Sequence, residues 1–514
     1  MQQVHLAYKT LGQRKHSHLS MEIIILSVVL LLSTALLFGP YYFKTSTKHN
    51  MKNHKTLPPK LPGELPLIGH LHRLRGCTTV ARLLGGMADE HGPIFSLRLG
   101  YRQAVVVSQW ELIKDCFTVN DQIFPSRPKM AILKHIVYKG AVFALEPHGP
   151  FWRDIRKIVT SQLFTTQQLE KLSHIRVSEV GRSVSDLYSM MLIGKSKNGR
   201  DELRLREAIK KVLYLSGQVV VSDAIPWLEW MDIGGYLKAM KTKTEELDTI
   251  LDTWLHEQIL HSNARHCSDL MDVMFSALDE NYKVEGQNRA TIIKATMLIL
   301  LMAGSESTAE ALIWAVSLLL NNPRVFQAAR EELDFHVGQN RAVEEADIKK
   351  LIYLQAVVKE TLRLYPPGPL AGPRESTESG YIGKYYVAKG TRLVVNVWKL
   401  HRDPEVWADP EDFRPERFLE ENGSNVGFGG RNFEYIPFGS GRRMCPGVNF
   451  ALVVVNFALA RLIQGFRVSM PMNVMSVDMS EGKGLALPKV KPLVVVVEPR
   501  LARELYENYV VGRE

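Results

Sequence analysis

Cysteine is scarce. The 514 residues hold four, Cys77, Cys116, Cys267 and Cys445, and none forms a Cys-x-x-Cys pair. That excludes a disulfide scaffold and places the folded part in a reducing compartment. No glycine motif of the dinucleotide-cradling kind follows a strand. No Lys/Arg run is long enough for a nucleic-acid patch. The 64 basic and 54 acidic residues leave a net charge of +10, a modest excess for this length that suits an anionic membrane surface or an acidic protein partner. No internal repeat is found. What the chain has in quantity is apolar residues, 46% of the total, ample for a large core.

The segment Ile23 to Phe43 carries no charge. At about 1.5 Å per residue a helix there matches a hydrocarbon core of roughly 30 Å. Pro40 stands where such a helix can stop, and Tyr41, Tyr42 and Phe43 suit the interface. Lys44, Lys48, Lys52, Lys55 and Lys60 follow, against Lys9, Arg14 and Lys15 before it, a bias that puts the C-terminal bulk on the cytoplasmic side. The competing reading is a cleaved secretory signal, whose apolar region is normally shorter and ends in small residues. Met21-Glu22 directly precedes the apolar run, so translation starting at Met21 is an alternative to Met1. After the anchor, Leu57-Pro58-Pro59-Lys60-Leu61-Pro62-Gly63 reads as a stiff, extended connector, because each proline fixes φ and removes a donor.

Helical patterns dominate the remainder. Ile94 to Leu99 and Ala104 to Ser108 read as strands around Gly100-Tyr101, and Tyr381 to Val387 and Arg392 to Val397 as a second pair around Lys389-Gly390. The longest apolar helical pattern runs from Ala290 to Asn321 and stops at Asn321-Asn322-Pro323. Glu306 and Glu310 within it argue for a core helix with a polar functional patch rather than a second membrane span. Glu421 to Asn432 reads as a loop.

Four stretches carry chemistry. Phe438-Gly439-Ser440-Gly441-Arg442-Arg443-Met444-Cys445-Pro446-Gly447 puts one thiol in a glycine-rich loop ahead of an apolar helix. Arg442, Arg443 and the positive end of that helix would favour a thiolate able to bind metal. The alternative is a small hydrophobe in a turn. Ala303-Gly304-Ser305-Glu306-Ser307-Thr308 sets an acid beside two hydroxyls, a group that can carry protons, or hydroxyls that merely bond back to their own helix. Glu360 and Arg363 lie three apart on one helical face, able to pair. Trp152 and Arg156 lie four apart behind Gly149-Pro150, as a cation donor site or as a core Trp beside a solvated Arg.

The Cys445 loop resembles the haem-binding signature Phe-x-x-Gly-x-Arg-x-Cys-x-Gly of the cytochromes P450. Ala303 to Thr308 resembles the family's acid-and-alcohol helix, with Ser307 where threonine is usual. Glu360-Thr361-Leu362-Arg363 and Phe413-Arg414-Pro415-Glu416-Arg417-Phe418 resemble its Glu-x-x-Arg and Pro-Glu-Arg-Phe elements, and Trp152 to Arg156 its Trp-x-x-x-Arg. The segments Gly368 to Glu375, Val397-Trp398-Lys399 and Phe433 to Gly439 resemble plant A-type members, most of all the plant eighty-two family.

The resemblance implies a mainly α protein with small β-sheets, the cytochrome P450 fold, preceded by a single N-terminal transmembrane helix. Residues 1–22 would be a tail, 23–43 the anchor, 44–69 a basic, proline-rich hinge, and 70–514 the haem-thiolate catalytic domain. It implies haem b with Cys445 as iron ligand, Phe438, Arg443, Gly447, Trp152, Arg156 and Arg374 around the cofactor, Glu306, Ser307 and Thr308 as the proton-handling group, and a structural triad of Glu360, Arg363 and Arg417. The lining of an apolar pocket is expected from Pro125 to Phe143, from Met297, Leu301 and Ala303, from Pro369-Leu370-Ala371, and from Leu485-Ala486-Leu487. The implied activity is oxidation of a lipophilic alkaloid, terpenoid or phenolic with O2 and electrons from NADPH. These come through a separate NADPH-cytochrome P450 reductase docking near Arg153 and Lys157, at the endoplasmic reticulum membrane, single-pass and facing the cytoplasm, with no nucleic-acid partner. A rearrangement enzyme on the same fold, or a haem-binding sensor, is the alternative.

Overall fold

The computed structural model describes residues 55–507, apart from 75–78, 131–137, 139, 194–199, 219, 262–269, 285 and 421–425. The expected tail, the anchor and the first part of the hinge lie outside the described residues.

The hinge residues that are described do not bridge open space. Leu61 N–H donates to Ser96 O at 2.9 Å and Ser96 N–H to Pro59 O at 2.7 Å, so the proline-rich strand lies along strand β1 (Ile94–Leu99) with Leu61 buried. Prolines suit this edge position because only their carbonyls are needed there.

β1 pairs antiparallel with β2 (Arg102–Val107) around Gly100, as the sequence suggests, with Ile94 opposite Val107. β3 (Lys283–Val284) and β4 (Gln287–Asn288) form a short ribbon. The second expected hairpin does not form. Tyr381 to Val387 folds on itself, β6 (Gly380–Ile382) against β7 (Tyr385–Val387), because Gly383 takes φ +54° and turns the chain early. β8 (Arg392–Val395) instead runs parallel to β2 and antiparallel to β5 (Arg374–Glu375), giving a four-stranded order β1-β2-β8-β5. Past it, Val397–Leu400 is helical. β9 (Phe466–Ser469) and β10 (Val496–Pro499) pair near the C-terminus.

Helices form the bulk. The longest, Arg289–Asn321, starts where the Asn288 side chain accepts from Thr291 N–H at 2.9 Å and stops before Pro323. Its first half packs Ile292, Ile293 and Leu298 with Val212, Leu247, Leu251 and Met274, residues of the helices Arg200–Ser216, Tyr236–His261 and Leu270–Ala277. Its second half packs Ala315 and Leu319 with Val357, Leu459 and Ile463, from the helices Ile352–Leu364 and Val448–Gly465. Two described helices, Arg289–Asn321 and Val448–Gly465, are long and apolar enough to span a membrane. Both contribute to these core clusters, where each large side chain buried stabilises by about 1.5–3 kcal/mol.

Candidate active site

The loop before Val448–Gly465 needs glycine at two points: Gly439 and Gly441 take φ +72° and +68°. A Cβ on Gly441 would also lie 2.8 Å from Asp121 Oδ1. Cys445 N–H donates to Phe438 O at 3.0 Å, and the Phe438 ring meets Phe428 edge-on at 5.5 Å. The Cys445 side chain has accessible surface yet is densely surrounded by protein. Burial pushes its thiol up, while the Gly447 N–H and the Arg156 charge pull it down. The cation acting on the sulfur is thus Arg156, not Arg442 or Arg443 as the loop sequence suggests. Those two turn away: Arg442 Nε donates to Asp121 Oδ2 at 2.7 Å, and Arg443 donates to Pro125 O at 2.6 Å and Glu146 O at 2.7 Å.

Four buried or half-buried guanidiniums collect beside this loop. Arg156, from helix Pro150–Ile158, donates to Met444 O at 2.5 Å. Arg443 lies 4.8 Å over the ring of buried Trp152. Arg374, at the start of β5, reaches Asp121 Oδ1 at 2.9 Å and Ser440 O at 2.7 Å, and its Nε is buried with no partner. Arg127 donates to Gly372 O at 2.5 Å and Pro373 O at 3.0 Å. Burial, then Arg443 and Arg374, hold Arg127 down to about 9. Burial, then Arg374 and Arg156, hold Arg443 down to about 10. Among the described residues Asp121 is the carboxylate hydrogen-bonded to this group and Glu146 acts on Arg443 by its charge, so the four guanidiniums outnumber the carboxylates, a setting that favours an anionic ligand. Arg127 stands inside the expected pocket loop, but its sequence alone gives no sign of this role.

Glu360, Arg363 and Arg417 come together as expected. Arg363 meets Glu360 twice, at 2.7 and 2.9 Å, and Arg417 Nε reaches Glu360 Oε1 at 3.0 Å. Arg363 also donates to the carbonyls of His401, Pro410 and Asp412. Glu360 and Arg363 are fully buried. His401, not foreseen from sequence, links this triad to the Cys445 loop. Its Nδ1 lies 3.1 Å from Arg363 O and its Nε2 accepts from Ile436 N–H at 3.0 Å. Burial and then Arg363 depress its pKa to about 3, so it serves as a neutral strut.

A cavity of about 800 Å³ opens under the long helix. Leu298, Ile299, Met302 and Ala303 line it, together with Arg127, Val142, Pro369, Leu370, Leu485 and Leu487. Met297 and Leu301, expected there, pack in the core cluster instead, because one residue's offset turns a helical side chain by about 100°. Ala371 packs under the sheet. Unforeseen contributors are Leu213, Gly217 and Ile233. The polar stretch of the helix follows Ala303. Ser307 Oγ donates to Ala303 O at 2.5 Å, and Thr308 is half-buried beside it. Burial raises Glu306, with Lys210 and Arg206 opposing. Arg153 and Lys157 are exposed on helix Pro150–Ile158.

The fold matches a zebra fish cytochrome P450 solved with progesterone, at TM-score 0.69 and 23% identity, over 82% of this chain and 99% of that one. The chain is 45% identical to dimethylnonatriene synthase of Arabidopsis thaliana, over 91% of this chain and 96% of that protein. It is 42% identical to xanthotoxin 5-hydroxylase CYP82C4 of Arabidopsis thaliana, over 91% and 97%. The cytochrome P450 family model matches residues 58–191 and 176–496, a span that holds the cysteine loop, the arginine group, the buried triad and the polar helix alike, and the chain belongs to the cytochrome P450 family, in its plant eighty-two branch.

Proposed function

We propose that Cys445 is the thiolate ligand of the haem iron in this monooxygenase, and that Arg127, Arg156, Arg374 and Arg443, with Trp152, hold the haem carboxylates. The observation that supports this most is the undercompensated cluster of guanidiniums, with its unpartnered Arg374 Nε, beside a loop that carries an accessible thiol. A flat, dianionic cofactor answers both features, and Gly439, where an added Cβ would meet nothing within 4 Å, leaves the loop open where a ring could lie. When bound, haem supplies the centre at which O2 is reduced by two electrons, one oxygen entering the substrate and the other leaving as water.

The chain's own residues would then do the following. Gly447 N–H and Arg156 favour the sulfur anion. Glu306, raised by burial, keeps a proton available nearer to neutral pH than an exposed glutamate would. Ser307 holds its hydroxyl on Ala303 O and must rotate to pass a proton into the cavity, and it lacks the methyl that restricts threonine's hydroxyl to fewer rotamers. Thr308 adds a second hydroxyl. Glu360, Arg363 and Arg417 fix the loop.

The substrate would be a small lipophilic plant metabolite. The cavity, at about 800 Å³, is large enough for a molecule the size of xanthotoxin or dimethylnonatriene, the compounds in the names of the two relatives. Membrane attachment is supported by an exposed apolar patch, with Trp227 61% and Trp230 81% exposed beside Met231 and Ile233. Leu65 and Leu67 are exposed on a neighbouring segment, which joins the patch through Gly100 and Tyr101. Aromatic side chains of this kind suit a lipid interface. Basic Arg153 and Lys157 are proposed to receive an acidic reductase. The test is incubation of microsomes holding this chain and a reductase with panels of terpenoids, phenolics and alkaloids. A product one oxygen atom heavier, or dealkylated, that needs both NADPH and O2 supports the reading, and conversion without them overturns it.

A further inference from the structure

Glu310, on the long helix, is idle in the reading above. It lies one turn beyond Glu306, so Ala303, Glu306, Glu310 and Trp314 follow one another along a single stripe. Ala303 lines the cavity. Glu310 is 6% exposed, and its Oε2 is buried with no hydrogen-bond partner. That state is costly for a carboxylate and tolerable for a carboxylic acid. Burial, then the like charge of Glu306, push Glu310 up to about 7. Lys210 from helix Arg200–Ser216 and Lys489 from the C-terminal segment pull it down, and Arg206 and Lys210 act likewise on Glu306. Among the described residues neither carboxyl is bonded to a cation, and two carboxyls one turn apart share protons more readily than they ionise together.

Further along the stripe is a way out. Lys489 Nζ sits 4.3 Å over the Trp314 ring and donates to the Asp478 carbonyl. The Asp478 carboxylate pairs at 2.9 Å with Lys491, whose side chain is 73% exposed. The stripe therefore runs from the cavity to a polar, solvent-facing edge.

We infer that Glu310 is a proton reservoir that reloads Glu306 between turnovers, refilled from the Lys489 and Asp478 edge. The inference rests on the proton-handling role proposed for Glu306 and Ser307. Its step balances without added reagents: the Glu310 O–H breaks as its proton passes to the Glu306 carboxylate, and the Glu310 carboxylate regains a proton from solvent. Glu310 acts through Glu306 and is a positioning residue for proton supply.

The test needs no substrate. The haem-loaded protein with reductase and NADPH reduces O2 either to hydrogen peroxide, with two electrons and two protons, or to water, with four of each. The share of water formed is measured between about pH 6 and pH 8. In the wild type that share falls as pH rises through about 7, because Glu310 is a donor below its pKa and loses that proton above it. In Glu310→Gln the share is about threefold lower at the acidic end and the step near neutrality is gone, a smaller loss than the ~10²-fold expected of a group that meets the reacting atoms. Infrared titration of the same proteins gives a readout apart from turnover: the wild type shows a protonated-carboxyl band that disappears near pH 7, and Glu310→Gln lacks it. Glu310→Asp, which keeps an acid, retains both the band and the step, and it carries the test if Glu310→Gln does not fold. A Glu310→Gln protein with wild-type partition and pH profile, alongside an impaired Glu306→Gln, overturns this inference alone. An unimpaired Glu306→Gln overturns the reading beneath it.

Discussion

Replacing Arg363 by Met removes the guanidinium and keeps much of the side-chain volume. In the folded protein this side chain makes two bonds to Glu360 and one each to the carbonyls of His401, Pro410 and Asp412. Glu360 does not become wholly unpaired, because Arg417 Nε and the Arg414 N–H still reach Oε1 at 3.0 and 2.9 Å. Breaking a buried pair from one side costs roughly 3–5 kcal/mol. The remaining partners of Glu360 argue for the lower part of that range, and the stranded carbonyls, at about 1 kcal/mol each, move it up again. About 4 kcal/mol is the expected loss. Over 514 residues, with about 2.1 cal/mol/K of unfolding entropy per residue, that lowers Tm by about 4 °C. The loss also has a direction, because the lost Arg363 guanidinium holds the His401 carbonyl, and His401 Nε2 in turn accepts from Ile436 N–H in the approach to the cysteine loop. Haem-loaded Arg363→Met should therefore show a reduced carbon monoxide band at the thiolate position before it shows global unfolding. The internal control is Arg414→Ala, whose 40% exposed side chain pairs with Asp409 and Glu420 at the surface and should cost about 0–1 kcal/mol. If Arg363→Met keeps its full thiolate band and melts no lower than Arg414→Ala, the triad does not hold the loop.

Other expectations follow from single residues. Ser307→Ala should lower the fraction of NADPH that ends in product, and Ser307→Thr should match or exceed the wild type; equal coupling in Ser307→Ala would remove the serine from proton handling. His401 is neutral in the fold, with its pKa lowered from 6.5 to about 3. The unfolded chain thus binds the extra proton, and stability is full above about pH 6.5 and is lost as pH falls from there towards 3. By pH 5 this amounts to about 2 kcal/mol, read as a fall in denaturation midpoint that His401→Gln should largely lack. Gly217→Val places a side chain against the Gly484 and Leu485 backbone, since even a Cβ would lie 2.5 and 2.7 Å away. It should change substrate preference in a metabolite panel with the carbon monoxide spectrum unchanged; an unchanged product profile would refute the role of this contact in shaping the cavity.

The parts of the site legible in the sequence are those written in short stretches. Phe438 to Gly447, Glu360 with Arg363, Trp152 with Arg156 and Ala303 to Thr308 each lie within a turn or a loop; Glu360 and Arg363 pair as their spacing suggests, whereas the cation acting on Cys445 is Arg156 and the one over Trp152 is Arg443. Arg127 was not legible as part of the cationic group, because its hydrogen-bond partner Gly372 is 245 residues away. His401 and the Gly217 contact with Gly484 have the same cause: their meaning exists only after the chain has folded. The misread hairpin and the one-residue error on the cavity face of the long helix are local. Gly383 turned a strand that composition alone shows as continuous, and an apolar helix such as Arg289–Asn321, with little amphipathic contrast, gives no fine reading of which side faces the cavity.

The central claim is that Cys445 supplies a thiolate to haem iron. Its most direct test is the carbon monoxide difference spectrum of the reduced, haem-loaded protein, wild type beside Cys445→Ser. The account predicts the red-shifted thiolate Soret band in the wild type and its loss in Cys445→Ser. A wild-type band at the position of a neutral ligand, or a thiolate band that survives in Cys445→Ser, would contradict it.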